Sequence, residues 1–194
     1  MDSLAVPEHH RARRSVIVRR LARWFLEASG WRVRGELPAA HKLILAVGPH
    51  TSNWDFFIGV AAMLALDIRI YWLGKHSIFR WPVAGLMRRL GGIAVDRGNT
   101  LGVAEQIGGQ LQAADEMILA ITPEGTRRKV ARLKTGFARI ARAGDCPVLP
   151  VTLDFALREI RLHPLFEAGD DPETDALAMR AIFATATPRR PQGF

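Results

Sequence analysis

Two short polar clusters, each of which follows an apolar run, contain the residues best suited to chemistry. In the first, His50 stands five residues before Asp55; in the second, Glu124 is followed across a flexible turn by Arg127. An imidazole beside a carboxylate can accept a proton from a hydroxyl, and an arginine can bind a phosphate group through two parallel hydrogen bonds. Together the clusters indicate transfer of a group onto a phosphorylated alcohol.

The spacing of His50 and Asp55 favours a loop followed by a helix. Within one continuous helix the two side chains would lie on different faces, because helical neighbours are three or four residues apart. With His50 in a loop and Asp55 in the first helical turn, the carboxylate can accept a hydrogen bond from the imidazole and fix its tautomer. His50 would then act as a general base on a substrate hydroxyl, without a serine or cysteine nucleophile.

A purely structural interpretation of the same residues is also open. Ser52 and Asp55 fit the capping-box pattern, in which the carboxylate at the third helical position satisfies a backbone donor at the helix start. Taken alone, the pair favours this interpretation. The second cluster, placed after another strand, shifts the balance toward chemistry.

Alternating apolar and amphipathic segments predict the elements that position these clusters. Strands are predicted at 41–47, 68–73, 92–95, 117–122, 148–155 and 159–162, and helices at 11–31, 52–66, 77–90, 100–114, 136–143 and 175–184. This alternation predicts a single α/β domain with a mixed, mostly parallel sheet flanked by helices. Ligands gather at strand ends in such sheets, where both clusters and Arg97 lie. Residues 189–191 are expected to form a frayed tail.

A basic amphipathic helix is predicted to precede the sheet, which divides the chain into an N-terminal segment, 1–36, and a domain, 37–194. Its apolar side holds Ile17, Val18, Leu21, Trp24 and Phe25, and its basic side holds Arg19, Arg20 and Arg23. Such a helix can lie in a membrane interface. It can equally pack its apolar face on the domain and leave the arginines in solvent, and both interpretations stay open. For the predicted helix at 77–90, core packing against the sheet is favoured for most of the apolar residues, and a position at the border of the acyl chain is the alternative.

Composition restricts the class of protein and its partners. The 194 residues carry a formal net charge of +8, which indicates an anionic partner such as nucleic acid, an anionic membrane or a phosphorylated substrate. A single cysteine, Cys146, cannot form an internal disulfide or a cysteine-based zinc site, and it favours a reducing compartment. No metal site and no secretory signal are predicted. The longest apolar run, 56–66, is shorter than the about 20 residues needed to cross a bilayer.

The order of the motifs resembles that of the glycerophospholipid acyltransferase family, which includes the 1-acylglycerol-3-phosphate acyltransferases. His50, four residues and Asp55 match the family's first motif, and Lys75 with 92–97 looks like its second. Residues 123–127 match the third and most specific motif, and 148–151 are similar to the fourth. The resemblance covers about residues 40–155.

The resemblance implies a role for each matched residue. His50 would deprotonate the acceptor hydroxyl, which attacks an acyl thioester, and Asp55 would orient His50. The implied substrate-binding residues, with the arginines and Lys75 on the acceptor phosphate, are Lys75, Arg97, Glu124, Gly125, Thr126 and Arg127. The implied partners are a lysophospholipid acceptor, an acyl-carrier-protein or coenzyme A thioester as co-substrate, and a membrane lipid surface, without a further cofactor. The implied location is the cytoplasmic face of the inner membrane, as a peripheral protein.

Two departures and two competing functions qualify this reading. Thr122 and Arg128 differ from the residues common in the family, so another lyso-lipid acceptor is an alternative to 1-acylglycerol-3-phosphate. The net charge alone suggests a nucleic-acid-binding module, but no recognition motif accompanies the arginines, and nucleic acid is not the expected partner. A hydrolase that uses the same pair with water is the third possibility.

Overall fold

The computed structural model describes residues 4–95, 100–126 and 130–190. The strands are β1 (Arg32–Arg34), β2 (Lys42–Gly48), β3 (Tyr71–Lys75), β4 (Gly92–Val95), β5 (Met117–Ile121), β6 (Val148–Asp154) and β7 (Glu159–Leu162). The helices are α1 (Val16–Ala28), α2 (Asn53–Ala65), α3 (Ala84–Arg89), α4 (Thr100–Ala113), α5 (Gly136–Gly144) and α6 (Pro172–Phe183), with short 3-10 turns at Glu8–His10 and His76–Ile78.

The seven strands form one sheet in the order β1-β7-β6-β2-β5-β3-β4. Every neighbouring pair is parallel except β6 and β7, which are antiparallel. The predicted α/β class with a mixed, mostly parallel sheet is therefore confirmed. Ala46 of β2 is in register with Ile121 of β5, so these two neighbouring strands end at the same edge of the sheet.

Helices cover both faces of the central strands. On β2, Leu43 and Leu45 pack with α1 and α2, whereas Ile44 and Ala46 pack with α4, α5 and α6. The alternation follows from the two-residue repeat of a strand, whose successive side chains point to opposite faces. A strand covered on both faces is apolar throughout, which is why β2 was visible in the sequence.

Several boundaries differ from the sequence prediction for local reasons. β1 was missed, because only Val33 of its three residues is buried and two arginines flank it. β3 begins at Tyr71 rather than at residue 68, since Asp67 adopts a left-handed φ of 60° and Ile68 instead forms a bridge with Arg11. In place of one helix over 77–90, a 3-10 turn leads to the short helix α3.

The N-terminal helix is shorter than predicted, and all five residues of its predicted apolar side are exposed. It begins after Ser15, whose hydroxyl accepts a hydrogen bond from the backbone of Val18, and it packs on α2 through Ala22 and Leu26. Ile17, Leu21 and Trp24 are 71%, 62% and 67% exposed. We call these three residues the outer α1 stripe. The division at residue 36 stays a prediction. In the described part of the chain, no helix has the length and apolar character to span a bilayer.

Candidate active site

The two polar clusters meet where β2 and β5 end side by side. The backbone N–H of His50 donates a hydrogen bond of 2.9 Å to Oε1 of Glu124, which stands 74 positions later in the chain. Each cluster occupies the loop after its own strand, and strand adjacency brings the loops together. The histidine-bearing loop therefore rests on the carboxylate of the other cluster.

The predicted contact between His50 and Asp55 is present. Nδ1 of His50 lies 3.1 Å from Oδ2 of Asp55, with the imidazole partly accessible and the carboxylate buried. The same Oδ2 accepts hydrogen bonds of 2.7 Å from the backbone of Thr51 and of 2.7 Å from that of Ser52. The hydroxyl of Ser52 donates to Oδ1 at 2.9 Å. Every one of these bonds fixes the carboxylate in one orientation.

The capping box is also present, so the two interpretations of the sequence coexist. The Ser52 hydroxyl accepts a hydrogen bond of 3.2 Å from the backbone of Trp54, while Asp55 accepts from the backbone of Ser52. One carboxylate thus starts α2 and contacts the imidazole in the preceding loop. The helix start positions the pair, because a cap fixes the direction in which the chain enters the helix.

The protonation state of Asp55 determines which imidazole nitrogen is available. Burial raises the pKa of Asp55, but the hydrogen bonds from His50 and Ser52 outweigh burial, so its pKa lies below the ordinary value. An ionised carboxylate can only accept hydrogen bonds, so the hydrogen of a neutral His50 belongs on Nδ1. Nε2 then carries the lone pair and can accept a proton from a hydroxyl.

Glu124 is a buried carboxyl group at the base of this site. It is 2% exposed, and burial raises its pKa despite the hydrogen bond from His50. Within the described ranges, Oε2 of Glu124 has no hydrogen-bond partner. A buried polar atom of this kind normally has a partner, so Oε2 is a candidate acceptor for a substrate or loop group.

Gly125 and Lys134 add a basic group that sequence reasoning missed. Gly125 has a φ of 63°, in the left-handed region that favours glycine, and a Cβ there would lie 3.1 Å from Nζ of Lys134. The backbone of Lys134 donates to the carbonyl of Pro123 at 2.8 Å, which closes the loop. Lys134 immediately precedes Thr135 and Gly136, where α5 begins, and this position just before a helix was its only signal in the sequence.

The other predicted substrate-binding residues differ in how far the structure describes them. Thr126 continues the loop after Gly125. Lys75 is exposed at the end of β3, two strands from β2 in the sheet and so about 10 Å away laterally. Arg97 and Arg127 lie outside the described residues, and their roles stay predictions.

The expected frayed tail is wrong for residues 189 and 190, and Pro191 lies outside the described residues. The backbone N–H of Arg190 donates to the Thr51 hydroxyl at 3.2 Å. The guanidinium carbon of Arg189 lies 5.5 Å from the ring centre of Trp54 and 5.7 Å from that of Phe155. Residues 189 and 190 are therefore anchored on the loop of the first cluster. No local pattern could reveal a contact between residues 139 positions apart.

Apolar side chains are exposed close to these loops. Trp54 and Phe57 are exposed at the start of α2, and their rings are in contact with centres 6.0 Å apart. The favoured expectation of core packing is wrong for Trp81 and Leu86, which are also exposed. Apolar surface is therefore exposed on the rest of the described domain as well as on α1.

Across the described ranges, no cluster of three or more His, Cys, Asp or Glu residues is arranged to hold a metal ion.

Comparisons with known proteins agree with this architecture. The sequence profile of a family described as acyltransferase matches residues 30–154, a range that contains both clusters. The fold is similar to the crystal structure of the 1-acyl-sn-glycerophosphate (LPA) acyltransferase PlsC from Thermotoga maritima. The TM-score is 0.63 and the sequence identity 17%, over 87% of this chain and 76% of that one. No curated protein matches the chain.

Proposed function

Because this chain belongs to the acyltransferase family, we propose that it moves a fatty acyl group from an acyl thioester to the hydroxyl of a lysophospholipid such as 1-acylglycerol-3-phosphate. The thioester would be an acyl-acyl-carrier-protein or acyl-coenzyme A, used as a co-substrate. The observation that carries the proposal is the oriented pair, in which Asp55 occupies Nδ1 of His50 and leaves Nε2 for the acceptor.

The proposed reaction is a direct transfer without an acyl-enzyme. Nε2 of His50 takes the proton of the acceptor hydroxyl while that oxygen attacks the thioester carbonyl carbon. The tetrahedral intermediate collapses as the carbon–sulfur bond breaks, and the leaving thiolate takes the proton back from His50. The products are an ester and a free thiol. Asp55 holds the imidazole in place and stabilises its protonated form throughout.

Positive charge around the loops supports an acceptor that carries a phosphate. Lys134 lies against Gly125, in the loop that also holds Glu124. We propose that Lys134, Lys75, Arg97 and Arg127 bind the acceptor phosphate, with Gly125 and Thr126 shaping the loop. Arginine and lysine bind phosphate strongly through charge-assisted hydrogen bonds.

A lipid acceptor requires access to a bilayer surface, and α1 supports a peripheral attachment. The outer α1 stripe is exposed, and Trp54 and Phe57 are exposed on the neighbouring helix. Each basic residue near an anionic surface adds about 1 kcal/mol of attraction. We propose that the protein binds the cytoplasmic face of the inner membrane through this side.

An acceptor screen with the purified protein tests the function. One labelled acyl thioester is combined with lysophosphatidic acid and with other lysophospholipids, and the products are separated. His50→Ala is expected to lower transfer by at least about a thousandfold while the protein stays folded. His163→Ala is the matched control, because His163 is also partly buried but contacts the Thr152 hydroxyl instead of a carboxylate.

Two results would refute the proposal. Near-full turnover by a folded His50→Ala protein would show that His50 is not the general base. Free fatty acid as the sole product in the presence of every acceptor would indicate a hydrolase that uses the same pair with water.

A further inference from the structure

The end of the described chain contacts both loops of the candidate site, although it lies beyond the range matched to the family, 30–154. We infer that α6 and the residues that follow it, up to Arg190, form a positioning element for the proposed reaction. We call residues 172–190 the C-terminal brace. The inference rests on the proposed function and deepens it, because it assigns separate steps to two parts of one segment.

The first contact is made by Arg180 of α6. Its guanidinium donates to the backbone carbonyl of Val130 at 3.1 Å and also to that of Ala131. These two residues lie between the second cluster and Lys134, in the loop assigned to the acceptor phosphate. Bonds from a charged donor are stronger than neutral ones, so Arg180 restricts the path of this loop.

The second contact lies directly beneath the first cluster. The Phe183 ring is fully buried and packs on the bare backbone of Gly48, two residues before His50. A Cβ on Gly48 would stand 2.3 Å from Cδ2 of that ring, so only glycine fits. The last turn of α6 therefore packs against the end of β2 and limits where the histidine loop can begin.

The third contact reaches the proton-transfer pair through Thr51. The Thr51 hydroxyl accepts from the backbone of Arg190, and the Thr51 backbone donates to the same Asp55 oxygen that contacts His50. Arg189, between the rings of Trp54 and Phe155, holds the chain in this position. Arg190 thus acts on the pair through Thr51, without touching substrate.

The Arg180 contact and the Arg190 contact of the brace should affect different kinetic constants. Arg180 acts on the loop that binds the acceptor, so its loss should raise the KM for the phosphorylated acceptor. Thr51 and Arg190 act on the geometry of the pair, so their loss should lower kcat. A segment that only fills space would instead change both constants in parallel with stability.

Four variants of the full-length protein test this separation. Arg180→Met removes the guanidinium and keeps an apolar stem, and Arg180→Lys restores one charged donor. Thr51→Val removes the acceptor for Arg190 at nearly constant volume. Arg142→Met is the matched control, because Arg142 also donates to a backbone carbonyl, that of Asp170 at 2.7 Å, but from the last turn of α5.

Steady-state kinetics with the acceptor varied gives the first readout, with melting temperatures recorded for each variant. Arg180→Met is expected to raise KM at least about fivefold with kcat within about twofold, and Arg180→Lys to recover part of the difference. Thr51→Val is expected to lower kcat about three- to tenfold with little change in KM. A KM for Arg180→Met equal to that of Arg142→Met overturns the inference, as does a parallel change of both constants in Arg180→Met and Thr51→Val.

Amide hydrogen exchange gives a readout that does not depend on the reaction. Arg180→Met should speed exchange around Ala131–Lys134 and leave Thr51 and Ser52 unchanged, while Thr51→Val should do the reverse. Equal effects of both variants on both loops contradict the inference. If the wild-type protein transfers no acyl group to any acceptor, the proposed function fails, and the exchange pattern still decides whether the brace positions the loops.

Discussion

At the scale of single residues, the site contains two carboxyl groups whose pKa values are shifted in opposite directions. Asp55 is held below its ordinary pKa by hydrogen bonds that outweigh burial, whereas burial raises the pKa of Glu124. Asp55 contacts the imidazole of His50, whereas Glu124 accepts a hydrogen bond from the backbone of His50. This division suits a site in which one carboxylate stabilises a transient positive charge and the other supports the loop.

The Glu124→Gln variant tests the raised pKa through the pH dependence of stability. The folded state binds the proton of the Glu124 carboxyl group more tightly than the unfolded state does. The stabilisation from this bound proton is complete below the ordinary pKa of 4.5 and is lost as pH rises through the pKa of the folded state. Glutamine keeps an oxygen for the His50 N–H and cannot ionise. The free energy of unfolding, measured by urea titration, should therefore favour the variant increasingly as pH rises through this window.

Asp55→Asn should show the opposite sign in the same titrations. The lowered pKa of Asp55 means that its stabilising contribution is present above the ordinary value of 3.8 and is lost as pH falls. The stability deficit of this variant should be largest near neutral pH and shrink in acid. Parallel curves for the wild-type protein and both variants would contradict the assigned directions.

The residue spacing predicted the contact between His50 and Asp55 but could not predict what surrounds it. His50 and Asp55 lie within one loop and the helix start that follows it, and such local geometry can be predicted from the sequence. The bond from His50 to Glu124 depends on which strands are neighbours, and the bond from Arg190 to Thr51 depends on the path of the chain end. Lys134 was missed for the same reason, since its nearness to Gly125 arises from loop closure.

At the scale of elements, the long buried strands were predictable, whereas β1 and the start of β3 were not. β2, β5 and β6 read as apolar runs because helices cover both of their faces. β1 has one buried residue and β3 is shifted by a turn at Asp67, so neither boundary has a strong apolar pattern. β1 and the start of β3 therefore limited the prediction of the sheet more than its buried strands did.

A pair of glycine substitutions tests how closely α6 packs beneath the site. Gly48→Ala should lower the free energy of unfolding by about 1 to 3 kcal/mol, because the new methyl group overlaps the Phe183 ring. Gly59→Ala is the matched control in α2, where a Cβ meets no atom within 4 Å, and it should stabilise the protein by up to about 1 kcal/mol. Urea denaturation measures both. Equal stabilities of the two variants would show that the Phe183 ring can shift to accept the new methyl group without destabilising the protein.

At the scale of the whole molecule, exposed apolar surface coincides with a net positive charge. The formal charge of +8 is typical of proteins with anionic partners, and the outer α1 stripe is more exposed than an ordinary packed helix face. The sequence left two interpretations of α1 open. The packing on the domain is made by Ala22 and Leu26, which are not on the predicted apolar side, whereas the stripe faces outward and its contact with a membrane stays a prediction.

Vesicle binding tests whether the outer α1 stripe attaches the protein to lipid. Trp24→Ser should weaken partitioning to phosphatidylcholine vesicles with added phosphatidylglycerol by at least about tenfold, since a large buried apolar side chain contributes about 1.5 to 3 kcal/mol. Leu177→Gln on α6 is the control, because Leu177 and Trp24 are both 67% exposed. Flotation of the vesicles measures the bound fraction. A loss as large for Leu177→Gln as for Trp24→Ser would contradict attachment through α1.

The backbone of the histidine loop offers a consequence for spectroscopy. Three consecutive amides, those of His50, Thr51 and Ser52, donate to just two carboxyl groups at 2.9, 2.7 and 2.7 Å. Amide protons bonded to carboxylates are deshielded, so these three resonances should stand apart in a proton–nitrogen correlation spectrum. A phosphorylated acceptor that engages His50 would shift them together. The loop thereby contains its own reporter of substrate binding, and it requires no label beyond isotopic nitrogen.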